Sequence, residues 1–230
     1  MSTANPQSFV FHRSKAPVLF SHGKGVYVWD TSGERYLDGS GGPLCVSVGH
    51  ATDEIIDKMK LQAQKISFVH ATHGTTEAVE SFARKVVEMC PKNLTKVLPC
   101  SGGSEAMESA IKLARQYFLE KGETSRYKVI SRWLSYHGNT LGALSVSGHP
   151  IRRKKYAPLL LDFPHVAPAY CYRCWFGKEY PNCEMNCAWD LERTIRITGA
   201  EHVSAFVAER IVGSTIGSVP APKGYFNIIR

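Results

Sequence analysis

Apolar residues recur along the chain in two rhythms, and the change of rhythm outlines its elements. Over residues 52–64 and 76–90 they fall three and four apart, which predicts helices with one buried face. Pro91 closes the second, because a proline ring cannot continue a helix. Earlier, Val26-Tyr-Val-Trp-Asp30 and Arg35-Tyr-Leu-Asp38 flank Thr31-Ser-Gly-Glu34. That predicts two short strands around a tight turn, with Gly33 supplying the turn chemistry. A small glycine-rich segment follows at residues 39–42, and residues up to about Asn5 read as disordered.

From Lys96 the rhythm alternates. A strand is predicted at 96–99, a helix at 104–121, a strand at 127–131, a helix near 139–147 and a strand at 203–208. This order implies an α/β fold, a mostly parallel sheet flanked by helices, behind a small N-terminal segment. Ligands of such sheets sit beyond the carboxyl ends of the strands. Three segments fall there: Ser101–Ser104, Tyr136-His-Gly138 and Glu209.

The first of these has its own chemistry. Ser101-Gly-Gly-Ser-Glu-Ala106 joins strand 96–99 to a helix whose Met107, Ala110, Ile111, Ala114 and Phe118 form one apolar stripe. Gly102 and Gly103 let the backbone approach a ligand, and the free N–H groups of the first helical turn make a seat for a phosphate dianion. Any well-capped strand–turn–helix has the same look, and the motif is neither Gly-x-Gly-x-x-Gly nor a Walker sequence. Tyr136 at a strand's end could lay its ring over a flat heterocycle, with Gly138 leaving room; a packed core tyrosine is the alternative. His137 has no carboxylate partner nearby in sequence, which favours a structural histidine over a general base. No Gly-x-Ser-x-Gly elbow occurs, which argues against a hydrolase triad.

Composition narrows the class. With 230 residues, 43% hydrophobic and 21% charged, the chain reads as an ordinary globular protein with room for one large domain or a main domain and a small companion. No apolar run approaches the roughly 18 residues of a membrane span. Seven cysteines without a secretory pattern at the start point to free thiols in a reducing compartment, the cytoplasm. A mitochondrial location is the lesser alternative, since Arg13, Lys15 and Lys24 precede the first acidic residue, Asp30. The net charge of +8 raises nucleic acid or membrane as partners, but the dense basic run, Arg152-Arg-Lys-Lys155, lacks interleaved aromatics and reads as a solvated loop. Neither partner is expected. Cys171, Cys174, Cys183 and Cys187 have a spacing that could close a tetrahedral zinc site. With Tyr170, Tyr172, Trp175, Phe176 and Tyr180 among them, they equally suit a packed apolar hairpin of reduced thiols, and no metal is expected.

Taken together, several motifs resemble one family. They are Gly25-Val-Tyr-Val-Trp-Asp30, Gly33-x-x-Tyr36-Leu-Asp38, Gly49-His50, Ser101-Gly-Gly-Ser-Glu-Ala106 with Lys112-Leu-Ala-Arg115, Tyr136-His-Gly-Asn-Thr-Leu-Gly142 and Phe206-Val-Ala-Glu209. From about Phe20 to Arg230 the chain resembles the class III (omega) aminotransferases, pyridoxal-phosphate enzymes of fold type I. The resemblance implies pyridoxal 5′-phosphate as cofactor, an amine or omega-amino acid as donor, a keto acid as acceptor, and a homodimer. It implies that Gly103 and Ser104, with Gly102 beside them, bind the cofactor phosphate. Tyr136 would stack on the pyridine ring, with His137 and Gly138 shaping the pocket. Glu209 would lie near the cofactor and be able to pair with an arginine at the substrate entrance, although Arg210 stands where the family usually has proline. Residues 39–44 and 70–75 would help form the substrate pocket and dimer interface. Residues 1–65 would form a hairpin-bearing part of the small domain, and 66–230 a partial cofactor-binding large domain with a cysteine-rich insertion at about 168–190.

Such enzymes need a lysine that holds the cofactor aldehyde as a Schiff base and an aspartate on the ring nitrogen. No lysine here sits in that context: Lys112 lies on the phosphate-site helix and Lys223 follows a proline-rich loop. The expectation is therefore the N-terminal half of such an enzyme, not competent alone, with exposed strand edges that weaken the isolated chain. A natural truncated relative that binds a partner without transamination is the alternative, and a zinc module a distant third.

Overall fold

The computed structural model describes residues 9–10 and 18–230. The start expected to be disordered, up to about Asn5, lies outside the described residues, as do Arg13 and Lys15. The chain divides into two compact units, Met1–Val97 and Leu98–Arg230.

In the first unit β1 (Phe20–Lys24), β2 (Tyr27–Asp30) and β3 (Arg35–Leu37) form an antiparallel sheet in chain order. The β2–β3 turn is built around Asp30. Its Oδ1 accepts the amides of Ser32 at 2.9 Å and Glu34 at 3.0 Å, and its Oδ2 accepts the Tyr36 hydroxyl at 2.9 Å. Gly33 takes φ +87°, where a side chain would be strained. A short helical turn α1 (Gly41–Leu44) is followed by α2 (Asp53–Lys65) and α3 (Glu77–Met89). Thr76 caps α3 by accepting the Val79 amide at 3.3 Å. Both long helices form where the periodicity predicts them. Their apolar faces are not buried, however: no residue of either helix is buried, and Ile56, Met59 and Phe82 are at least half exposed.

The second unit opens with α4 (Gly103–Glu120), followed by β4 (Lys128–Arg132), α5 (Leu141–Val146), α6 (Pro150–Lys154) and β5 (His165–Val166). Then come α7 (Asn186–Thr198), β6 (Val203–Val207), β7 (Ile211–Val212), β8 (Val219–Pro220) and α8 (Tyr225–Ile229). The sheet order is β5-β4-β6 and both pairings are parallel, as the alternating pattern implies. Alternation along β4 divides the core. Val129 packs with Val146, Phe163, Met107 and Ile111 on one face, while Ile130 packs with Val166, Leu191, Ile195 and Phe206 on the other. Completely buried Ile130 accounts for roughly 1.5–3 kcal/mol of transfer energy. Sheet, α4, α5 and α7 thus make a helix–sheet–helix sandwich.

Two expectations need correcting. The strand expected at 96–99 is absent from the sheets: a strand exists through its ladder, and these residues find no strand partner among the described residues. The stripe on α4 is only half covered, with Met107, Ile111, Ala114 and Phe118 partly buried and Ala110 exposed.

Candidate active site

Three loops meet at the carboxyl ends of β4 and β6. The first is the entry to α4. Gly102 is its N-cap, in extended conformation at φ −164° with no side-chain cap, and the first helical bond runs from the Ala106 amide to the Gly102 carbonyl. The amides of Gly103, Ser104 and Glu105 precede that bond and are open to an anion. A side chain placed at Gly102 or Gly103 would meet no atom within 4 Å, so the backbone fronts open space.

The second loop, residues 133–140, leaves β4 and is clamped to α4. Ser104 Oγ accepts the Asn139 amide at 2.9 Å and still has a hydroxyl hydrogen to give. Gly138, at φ +140°, is where the two segments cross: a Cβ there would lie 2.7 Å from Ser104 Oγ and 2.8 Å from Ala143 Cβ. Glu108, one turn further along α4, caps α5. Its Oε1 accepts the Thr140 hydroxyl at 2.5 Å and the Ala143 amide at 3.1 Å, and a Cβ on Gly142 would collide with this carboxylate at 2.4 Å. The glycines of Tyr136-His-Gly-Asn-Thr-Leu-Gly142 thus exist for close approach to α4.

The third loop brings Glu209 from the end of β6. Its Oε1 accepts the Tyr136 amide at 2.9 Å and its Oε2 accepts the Gly213 amide at 3.0 Å. Beneath it Arg132, 1% exposed, donates from Nη2 to the Glu209 carbonyl and lies 5.5 Å from the Tyr225 ring centre, its Nε and Nη1 without partners among the described residues. His137 is held by its amide, which donates to Ser147 Oγ at 2.8 Å. Burial pushes its imidazole below the ordinary histidine range, opposed by the Glu209 charge and aided by Arg132, so it is neutral near pH 7.

The basic run is helical and not a loop, although Arg152, Lys154 and Lys155 are exposed to solvent as expected. It forms α6, and its two arginines separate in role. Arg153 Nη1 lies 2.8 Å from the carbonyl oxygens of Leu144, Ser145 and Ser147, closing the end of α5. Arg152 instead places its guanidinium 4.5 Å from the centre of the Tyr136 ring. Sequence reasoning brought out Ser104, Tyr136 and Glu209 but missed Glu108, Arg132, Asn139 and Arg152, whose partners are distant in sequence.

Cys171, Cys174, Cys183 and Cys187 line one small cavity of about 20 Å³ with Tyr170, Phe176 and Tyr180. Burial, then the neighbouring thiols, pushes Cys187 up to about 11, so it is a thiol at neutral pH. Among the described residues no group of three or more His, Cys, Asp or Glu side chains is placed to hold a metal ion.

A model of the class III aminotransferases matches residues 10–230. The chain belongs to this family. It is 35% identical to the uncharacterized aminotransferase YodT of Bacillus subtilis over 213 residues, covering 93% of this chain and 48% of that protein. The crystal structure of adenosylmethionine-8-amino-7-oxononanoate aminotransferase from Methanocaldococcus jannaschii superposes with a TM-score of 0.84 at 33% identity, over 96% of this chain and 49% of the other. The PMP-bound aminotransferase from Vibrio fluvialis gives 0.87 at 28% identity, over 97% and 53%. This class III chain spans about half the length of the curated relatives it matches. Among its described residues no helix is long and apolar enough to cross a membrane.

Proposed function

We propose that the three-loop site is the phosphate and ring seat of a pyridoxal-phosphate-dependent class III aminotransferase, which moves an amino group from an amine or omega-amino acid to a keto acid. The observation that carries this reading is the clamp of the Tyr136–Asn139 loop onto an α4 N-terminus whose amides and glycines face open space. Family membership and PLP-bound structural neighbours point to the same cofactor. Gly103 and Ser104 would hold its phosphate through backbone amides and the Ser104 hydroxyl, with Gly102 keeping the approach clear. Tyr136 would cover the ring, Gly138 would admit it, and neutral His137 would wall the pocket. Glu209 would hold the Tyr136 loop at the right height. When bound, the cofactor supplies an aldehyde that takes up the amino group and a ring that draws electrons from the substrate carbon.

On this reading residues 1–65 belong to the small domain and 66–230 to the large one, the complete enzyme is a homodimer, and its compartment is reducing. The 230-residue chain by itself does not transaminate. In support, the lysines lack the context of a Schiff-base lysine: Lys112 lies on α4 and Lys223 follows a proline-rich loop. Equilibrium dialysis tests the seat: pyridoxamine phosphate should bind, pyridoxamine without its phosphate should not, and Ser104→Ala should weaken the first by about tenfold. Equal binding of both overturns the seat. A borohydride-stable adduct of pyridoxal phosphate on one defined lysine would overturn the inactivity.

A further inference from the structure

Among the described residues Arg152 is the basic side chain that rests on Tyr136 without a structural hydrogen bond of its own. Its neighbour Arg153 is committed to backbone carbonyls at the end of α5, and Arg132 is committed below the sheet ends to the Glu209 carbonyl. Arg152 has no hydrogen-bond or ion-pair partner among the described residues and is solvent-exposed, yet it is not loose: its guanidinium rests over Tyr136 at 4.5 Å from the ring centre. Cation–π contact with a ring face holds the guanidinium plane while its N–H edges stay free. Among the described residues no ion pair joins it to the Glu209 carboxylate, whose oxygens accept the Tyr136 and Gly213 amides. The result is a positioned, unpaired fork of donors at the rim of the site.

We propose that Arg152 is a specificity-determining residue that receives the carboxylate of an acidic substrate, an omega-amino acid or a keto acid, at the mouth of the site. This rests on the reading of Tyr136 as the ring seat. A stacked guanidinium suits a carboxylate because two parallel N–H···O bonds can form without reorienting the side chain. A plain alkylamine offers no acceptor and is repelled by the cation. Lysine could not substitute, since an ammonium is a point charge without the planar fork.

The test is a calorimetric titration of the 230-residue chain, with and without bound pyridoxamine phosphate. The two probes are 5-aminopentanoate and pentylamine, which share a five-carbon amine and differ in the carboxylate. Wild type should favour the carboxylate by about tenfold, Arg152→Gln should abolish the preference, and Arg152→Lys should restore only part of it. The urea unfolding midpoint should be the same in all three proteins, which keeps a folding defect apart from a lost contact. Absence of any preference in wild type, or a preference that survives Arg152→Gln, overturns the proposal. Failure of pyridoxamine phosphate to bind wild type overturns the function reading and the Arg152 assignment with it, whereas binding without a carboxylate preference overturns Arg152 alone.

Discussion

Gly102 and Gly138 flank the proposed phosphate seat and face opposite constraints. Gly138 sits at φ +140° with Ser104 Cα 3.0 Å from where its Cβ would be, so neither backbone nor neighbour has room to give. Gly138→Ala should cost about 2 kcal/mol or more in urea unfolding and displace the Ser104–Asn139 clamp. Gly102 is extended and fronts open space. Gly102→Ala should leave stability within about 0.5 kcal/mol while lowering pyridoxamine phosphate affinity, because the new methyl occupies the anion's approach. A histidine gives a second prediction. His165 is stacked on Trp133 at 4.5 Å, and burial, then the Arg153 charge, pushes its pKa down to about 4. The folded state therefore holds it neutral while the unfolded chain takes a proton near pH 6.5. Its contribution to stability is complete above about pH 6.5 and is lost as pH falls toward 4. Urea midpoints for wild type and His165→Asn should converge across that interval; parallel curves would exclude this histidine as a source of acid sensitivity.

Helix ends decide much at the next scale. Glu108 caps α5 from another helix, so Glu108→Ala removes the acceptor of the Ala143 amide and the Thr140 hydroxyl and should cost about 1 kcal/mol by chemical denaturation. A cost no larger than that of an exposed Glu105→Ala control would refute the cap. The elements themselves were legible in proportion to how local their causes are. Helices α2, α3 and α4 announce themselves through spacing and lie within a residue or so of the expected limits. Strands β5, β7 and β8 have two residues each, too few to carry a period, and exist only because a partner is alongside. β1 reads Phe-Ser-His-Gly-Lys, with little apolar alternation, and is held by its ladder to β2 and the stacking of His22 on Trp29 at 4.8 Å. The candidate site shows the same division. Ser104, Tyr136 and Glu209 stand in motifs, whereas the contacts of Glu108, Arg132 and Arg152 depend on which loops the sheet brings together.

For the molecule as a whole, the notable quantity is apolar surface left in water. Ile55, Ile56, Met59, Val79, Phe82 and Met89 on α2 and α3 are all at least 42% exposed. Amphipathic helices with uncovered faces gain from association. The chain should bind a hydrophobic dye and show a sedimentation coefficient that rises with concentration, and Met59→Glu with Phe82→Glu should suppress both. A dye-silent, concentration-independent monomer would mean that these faces are covered in solution. Glu209 has a different reach, since its carboxylate fastens a loop 73 residues earlier in the chain. During synthesis Tyr136 leaves the ribosome long before Glu209 does, and its amide has no such acceptor until then. If Tyr136 covers the cofactor ring as proposed, any cofactor met by the growing chain encounters an unset loop, and capture of the ring would belong to the late part of translation or follow it.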